Sequence, residues 1–358
     1  MRRIRDRLRR AYQRRLTRDH WHHAISLLNV ANAIRSPAEL IASHSGISRY
    51  QRQLDRIAKD APIHDGKRVP KAIHFVFGMK GVEELPYYAY IAIASAKAHN
   101  RGWTVYFHYH HEPTGPHWAA IKNEVVCVRV PQFQFYRFAK YHHYAHKADV
   151  VRMLALWHIG GVYLDIDTIC CRPFEPLRSH AFVMGVQATI PGSVGGLCNA
   201  VMISQPKAQF LRHWLERYSS FRSAGRDALW DFHSVRLPVR LATKNPELIT
   251  VLPFNAFFYP LWHVLERVLL MENGSRYAHY LQDAYVFHLW NNITGRALEK
   301  INWAYVQRSK SIYAQLARTA LELDDETASG IDRRGEPQFR ALPGRDAAER
   351  SGATVQAL

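Results

Sequence analysis

The stretch Gly160-Gly161-Val162-Tyr163-Leu164-Asp165-Ile166-Asp167 constrains this chain more than any other. A segment of helical period, Ala148 to Ile159, runs into it and is cut by the glycine pair, which suits the left-handed conformation that closes a helix. Val162, Tyr163 and Leu164 then read as a short buried strand. Residues two apart on a strand share a side, so Asp165 and Asp167 are expected together at the strand's end, where open α/β sheets place their ligands. Such a pair is either two solvated acids in a turn or a site for a divalent cation or for phosphate transfer.

The rest of the chain supplies the sheet. Ala72 to Gly78 reads as a buried strand closed by glycine, Pro86 to His99 as a helix, and Trp103 to Tyr109 and Val125 to Val130 as further strands. Beyond the glycine pair, Ala181 to Gln187 and Cys198 to Ser204 are strands and Lys207 to Phe221 a helix. Ile249 to Tyr259 is strand-like with an interruption at Pro253, Ala284 to Trp290 is a last strand, and Gly295 to Leu321 is mostly helix. Strands alternating with helices imply parallel βαβ units. The loop from Pro191 to Gly196 lacks the Lys-Ser/Thr of a phosphate-binding P-loop. The turn His64-Asp65-Gly66-Lys67 marks a boundary, dividing the chain into a basic helical extension (1–66), an α/β domain (67–322) and a polar tail expected to be disordered (323–358).

With 358 residues, 47% of them hydrophobic, the chain can bury a substantial core. A formal charge of +18 points to an anionic partner: nucleic acid, an anionic membrane or a nucleotide diphosphate. Residues 1–20 hold nine arginines, with Ile4, Leu8, Tyr12 and Leu16 recurring every four residues. This basic amphipathic helix is either a solvated face or a dock on an anionic membrane; no finger spacing or aromatic platform supports nucleic acid. Cys127, Cys170, Cys171 and Cys198 form no CxxC pair and read as reduced core thiols of a cytosolic protein. No signal-peptide pattern is evident, and the longest apolar window, Ala24 to Ile34, is too short and too polar to span a bilayer.

Two chemistries use Asp-x-Asp at a strand end. In phosphatases related to haloacid dehalogenases, Asp165 would be the nucleophile; the local run Asp165-Ile166-Asp167-Thr168 fits. The only later acidic pair, Asp324-Asp325, falls where order is expected to end. In sugar transfer, the carboxylates hold a cation that neutralises a departing diphosphate. A third reading, outside enzymes, is a basic adaptor for nucleic acid or membranes.

Four places resemble glycosyltransferase family 32, the enzymes with a sugar-binding region containing a DXD motif, over residues 70–292. They are the strand Pro70 to Gly78, the (S/A)D-x-x-R helix Ala148-Asp149-Val150-Val151-Arg152, the GG-x-Y-x-D-x-D run ending at Asp167, and Asn199-Ala200-Val201-Met202 with a closing His288-Leu289-Trp290. The chain is also similar to the catalytic core of the large clostridial glucosylating toxins. The resemblance implies an α/β fold of GT-A type, a Rossmann-like mixed sheet flanked by helices, here with an N-terminal helical extension. It implies retaining transfer of a hexose-type sugar from a UDP- or GDP-sugar, with Mn²⁺ or Mg²⁺ as cofactor. It places Phe75, Val76 and Phe77 beside the nucleotide, Asp149 and Arg152 on the donor sugar, and Asp165 on the ribose and, through water, the metal. Asp167 and His288 become metal ligands and Asn199 a sugar contact. Where family members carry a Ser-Trp lid, this chain has Trp290-Asn291-Asn292, so Asn291 and Asn292 are candidate phosphate donors. The expected acceptor is a saccharide, a glycolipid or a protein, in bacterial surface-polysaccharide or capsule assembly, with the enzyme cytoplasmic or peripheral on the cytoplasmic face of the membrane.

Overall fold

A computed structural model describes residues 21–60, 68–188, 194–272 and 282–321. The arginine-rich segment, the His64–Lys67 turn, part of the 191–196 loop and the polar tail lie outside them, and so do the expectations attached to those stretches.

Two helices come first, α1 over 21–33 and α2 (Pro37–Asp60). The α/β unit follows as β1 (Ala72–Phe77), α3 (Tyr87–His99), β2 (Thr104–Tyr109), α4 (Pro116–Ile121), β3 (Val126–Arg129) and the small hairpin β4 (Phe135–Tyr136) and β5 (Ala139–Lys140). Next come α5 (Tyr144–His158), β6 (Gly161–Leu164), β7 (Thr168–Cys170), β8 (Phe182–Gln187), β9 (Gly196–Ser204), α6 (Gln209–Arg217) and α7 (Leu237–Lys244). The chain closes with β10 (Thr250–Leu252), β11 (Val286–His288), α8 (Asn291–Leu298), α9 (Trp303–Arg308) and α10 (Ile312–Ala320).

Seven strands form one sheet in the order β10-β8-β9-β6-β1-β2-β3. β1 pairs in parallel with β2 and β6, and β10 in parallel with β8, whereas β9 runs antiparallel to both β6 and β8. The sheet is therefore mixed, as the family resemblance implied, rather than the wholly parallel arrangement that strand–helix alternation alone suggests. Apolar runs without alternation mark strands covered on both faces. Along β1, Ile73 and Phe75 pack into one core with α3, while Ala72 and Val76 enter the other with α5.

Several boundaries differ from the sequence expectation, each for a local reason. Helix α5 starts at Tyr144 rather than Ala148, because the His143 ring caps it by accepting from the Ala145 N–H at 3.2 Å. The segment 295–321 breaks into short helices where Asn302 and Ser311 cap new N-termini. The predicted helix from Lys207 to Phe221 shrinks to Gln209–Arg217, with a tighter turn at Tyr218–Ser220. The last strand is not part of the main sheet: β11 pairs antiparallel with β7 in a two-stranded ribbon. Asp165 and Asp167 lie on the turn between β6 and β7, not on a strand. All four cysteines are free thiols, and burial pushes Cys170 and Cys198 up to about 12, which suits an inert core role.

Gly160 and Gly161 adopt φ of +74° and +108°. A Cβ on Gly160 would stand 2.7 Å from Pro206 Cδ, and one on Gly161 would stand 2.5 Å from the Ala72 carbonyl oxygen in β1. Both the left-handed backbone and the close approach of β1 require glycine here. A buried polar chain fixes the same turn. His74 Nε2 lies 2.7 Å from the Gly160 carbonyl, His74 Nδ1 lies 3.0 Å from His108 Nε2, and His108 Nδ1 lies 2.9 Å from the Tyr50 hydroxyl on α2. A carbonyl only accepts, so His74 Nε2 carries the proton. His108 then donates from Nε2 to His74, and Tyr50 donates to His108. Burial keeps both rings neutral, holding His74 down at about 4 and His108 well below its ordinary value, with its neighbour His74 adding to the effect on His108.

Candidate active site

The turn after β6 is held from both sides. The Asp165 N–H donates to Ala200 O on β9 at 2.8 Å, carrying the β6–β9 pairing one residue further. The Leu289 N–H donates to Asp167 O at 2.7 Å, closing the β7–β11 ribbon. In that ribbon His288 faces Thr168, the residue after Asp167. Strand pairing thus brings a distant histidine beside the two aspartates.

Each of the three side chains has one atom committed to the protein or boxed by it and another turned inward. Asp165 Oδ1 accepts from the Tyr163 hydroxyl at 2.7 Å and faces Arg152 Nη1 at 3.0 Å, leaving Oδ2 directed at His288 Nε2, 3.8 Å away. Asp167 Oδ2 accepts from the Asn291 N–H, the first residue of α8, at 2.6 Å, leaving Oδ1 at 3.4 Å from His288 Nε2. The His288 ring is walled by Trp290 and Phe258, with centroids at 4.4 and 6.0 Å, and its buried Nδ1 has no hydrogen-bond partner among the described residues. One ligand atom from each of Asp165, Asp167 and His288 lies within 4.8 Å of the others.

Electrostatics separate the two carboxylates. Burial raises Asp165, the neighbouring Asp167 adds to the rise, and Arg152 only partly offsets it. Burial also works against the Asp167 anion, but His288 and the Asn291 N–H outweigh it and hold Asp167 below its ordinary value. An N–H at a helix N-terminus is well placed to stabilise such a charge. Burial disfavours charge on His288 too, yet the facing carboxylates win and raise it. Two carboxylates and an imidazole whose Nε2 is turned toward them make an oxygen-rich set with one nitrogen, a donor set able to hold a divalent cation.

Behind this cluster lies a second layer. Asp149 Oδ1 accepts from Asn199 Nδ2 at 2.7 Å and stands 3.5 Å from Arg152 Nε, while its Oδ2 stands 3.5 Å from His146 Nδ1. Arg152 Nη1 also donates to Asn199 O at 2.9 Å, and its guanidinium lies 4.4 Å from the centroid of Tyr163. Burial opposes charge on both Asp149 and Arg152. His146, Arg152 and Asn199 nevertheless keep Asp149 low, and Asp165, Tyr163 and Asp149 hold Arg152 firmly protonated.

Asp149, Arg152, Asp165, Asp167, Asn199 and His288 therefore come together. Phe75 is fully buried and Val76 nearly so, each packed in a core. Phe77 is half-buried at the C-terminal end of β1 and packs near Phe107. The side chains of Asn291 and Asn292 are exposed at the start of α8. Sequence reasoning gave no role to Tyr163 or His146, although period two links Tyr163 to Asp165 and helical spacing links His146 to Asp149. The Asn291 N–H had no signal in residue types at all.

These elements define a transferase-type α/β site whose turn gathers two carboxylates and an imidazole. Residues 90–183 match the family described as glycosyltransferase sugar-binding region containing DXD motif. Over 281 residues the chain is 36% identical to glucan organizing enzyme 1 of Cryptococcus neoformans var. grubii serotype A, covering 74% of this chain and 75% of that protein. The chain therefore belongs to the DXD-containing glycosyltransferase family. It is also 34% identical over 85 residues to inositol phosphoceramide mannosyltransferase 1 of Schizosaccharomyces pombe, spanning 24% of this chain and only 25% of that protein. Among solved structures, PaToxG glycosyltransferase covers 79% of this chain and 97% of its own at 16% identity, with a TM-score of 0.37. A score of that size leaves the fold to be judged from the sheet itself. Family membership sets aside the phosphatase and adaptor readings, and Asp165 fits the first poorly, since Arg152 and Tyr163 both engage its Oδ1.

Proposed function

We propose that this glycosyltransferase moves a hexose-type sugar from a UDP- or GDP-sugar to a saccharide or lipid-linked acceptor, with retention of configuration and with Mn²⁺ or Mg²⁺ as cofactor. The observation that carries the reading is the convergence of Asp165, Asp167 and His288 within 4.8 Å. These three residues would hold the cation, which supplies Lewis-acid neutralisation of the departing diphosphate. Asp167, held below its ordinary value by His288 and the start of α8 against the effect of burial, is the direct ligand. Arg152 and Tyr163 aim Asp165 and balance its charge. Asn291 and Asn292, exposed at the start of the helix whose first N–H meets Asp167, would donate to a phosphate oxygen, and Phe77 would offer its half-buried ring to the base. Asp149 and Arg152 present a rigid charged wall to the sugar.

Retention by same-face attack fits the occupied carboxylates. Asp149 is engaged through both oxygens, and Asp165 is gripped at Oδ1 by Arg152 and Tyr163 while its Oδ2 is turned to His288 and the proposed cation position. The lipid-linked acceptor draws support from the relative named as an inositol phosphoceramide mannosyltransferase. The setting we infer is surface-polysaccharide or glycolipid assembly. A thermal-shift panel of UDP- and GDP-sugars with and without Mn²⁺ tests the reading, because a ligand that binds the native state raises its melting temperature. One nucleotide series should stabilise the protein only with metal present. No shift with any pair, together with no donor turnover, would overturn it.

A further inference from the structure

Helix α1 turns Ser26 and Asn29 toward the protein and Trp21, Leu27 and Leu28 away from it, with Ile25 and Val30 half-buried at the flanks. Ser26 Oγ meets Ser219 Oγ at 3.0 Å, and Asn29 Nδ2 donates to the carbonyls of Ser219 and Phe221 at 2.8 and 3.0 Å. Ala33, one turn further on the same side, is fully buried. On the opposite side Trp21, Leu27 and Leu28 are 65, 71 and 44% exposed, followed by Ile34 at the turn and Ile41 on α2 at 64 and 67%. A surface helix in water shows the reverse pattern, with its apolar stripe toward the core. Contiguous exposed apolar surface marks an interaction site.

The sequence around the patch indicates its occupant. Residues 1–20, which lead directly into Trp21, carry nine arginines against two aspartates. A basic segment joined to an apolar face with a tryptophan at its edge matches the chemistry of an anionic bilayer surface, where the ring sits at headgroup level and the aliphatic side chains enter the acyl boundary. None of the described helices is long and apolar enough to cross a membrane. We propose that the outer face of α1, continued by Ile34 and Ile41, seats this protein on an anionic phospholipid bilayer, with the arginine-rich segment supplying the long-range attraction. This surface is separate from the metal site and stands whether or not the donor reading holds.

The full-length protein is floated with vesicles of phosphatidylcholine alone and of phosphatidylcholine mixed with phosphatidylglycerol. Binding should favour the anionic vesicles. A Trp21→Ser, Leu27→Ser, Leu28→Ser triple variant should lose about tenfold or more in partitioning, since binding scales with the apolar area buried. Its melting temperature and its turnover of soluble substrates should be unchanged. Vesicles with acyl-brominated lipid give a second measurement that does not depend on the triple variant folding: they should quench wild-type fluorescence more than that of Trp21→Phe. The proposal is overturned if the wild type does not bind, if it binds neutral vesicles equally well, or if the triple variant partitions like the wild type. Equal quenching in Trp21→Phe also overturns it. So does a dimer that the triple variant dissolves, because a second copy would then cover the face.

Discussion

At the scale of single residues, the two aspartates are chemically unlike despite their matching motif. Asp165 is an oriented group whose charge burial disfavours, gripped by Arg152 and Tyr163, whereas Asp167 is a stabilised anion facing His288. Asp167→Ala tests that difference. It removes an acceptor from the part-buried Asn291 N–H, which water can reach at the helix N-terminus, a loss of about 1 kcal/mol. It also relieves the pressure that Asp167 puts on Asp165, so the two effects partly offset and the protein should remain folded. Transfer should fall by about a thousandfold or more, the equivalent of several kcal/mol of transition-state stabilisation. The Mn²⁺-dependent thermal shift should vanish with it. Steady-state assays beside urea titrations separate the two quantities, and retained turnover would remove Asp167 from the ligand set.

At the scale of elements, the helix–turn–strand unit was the most legible part of the chain. The glycine pair announced its own backbone conformation, and the apolar run after it announced a buried strand; both follow from residue type alone. Gly161→Ala should lose at least about 2 kcal/mol, because it strains a left-handed backbone and presses a Cβ against the β1 carbonyl of Ala72. Gly81→Ala is the control: a Cβ there would meet nothing within 4 Å, and stability should hold. Equal urea midpoints for the two variants would refute the account of the turn. Less legible was the ribbon of β7 and β11, because pairing between distant segments leaves no local periodicity, and Ala284 to Trp290 reads equally well as a strand of the main sheet. The site suffered the same limit. Asp149, Arg152, Asp165, Asp167 and His288 were legible as a motif series. The backbone N–H of Asn291 was not, since every residue but proline carries one.

At the scale of the whole molecule, buried neutral histidines couple the fold to pH. Burial holds His74 at about 4 and His233 at about 3, and His108 well below its ordinary value. An unfolded imidazole binds its proton near pH 6.5, so these groups contribute fully above that value and their stabilisation is lost as pH falls toward the folded values. His288 is shifted the other way; its contribution is complete below about pH 6.5 and does not slope in the lower range. The lowered carboxylates Asp149 and Asp167 lose their contribution only below their ordinary range, about pH 4. Between about pH 6 and 4.5, then, the slope of stability reports the lowered imidazoles, each adding about 1.4 kcal/mol per pH unit, with Asp165, raised by burial, working in the opposite sense. His233 sits among the rings of Tyr218, Phe221 and Phe232, where phenylalanine is a near match in shape. His233→Phe should therefore flatten the slope by about one proton's worth across this window, whatever it does to stability at neutral pH. Urea titrations at several pH values measure that slope directly. An unchanged slope would mean that His233 takes up its proton within the folded protein.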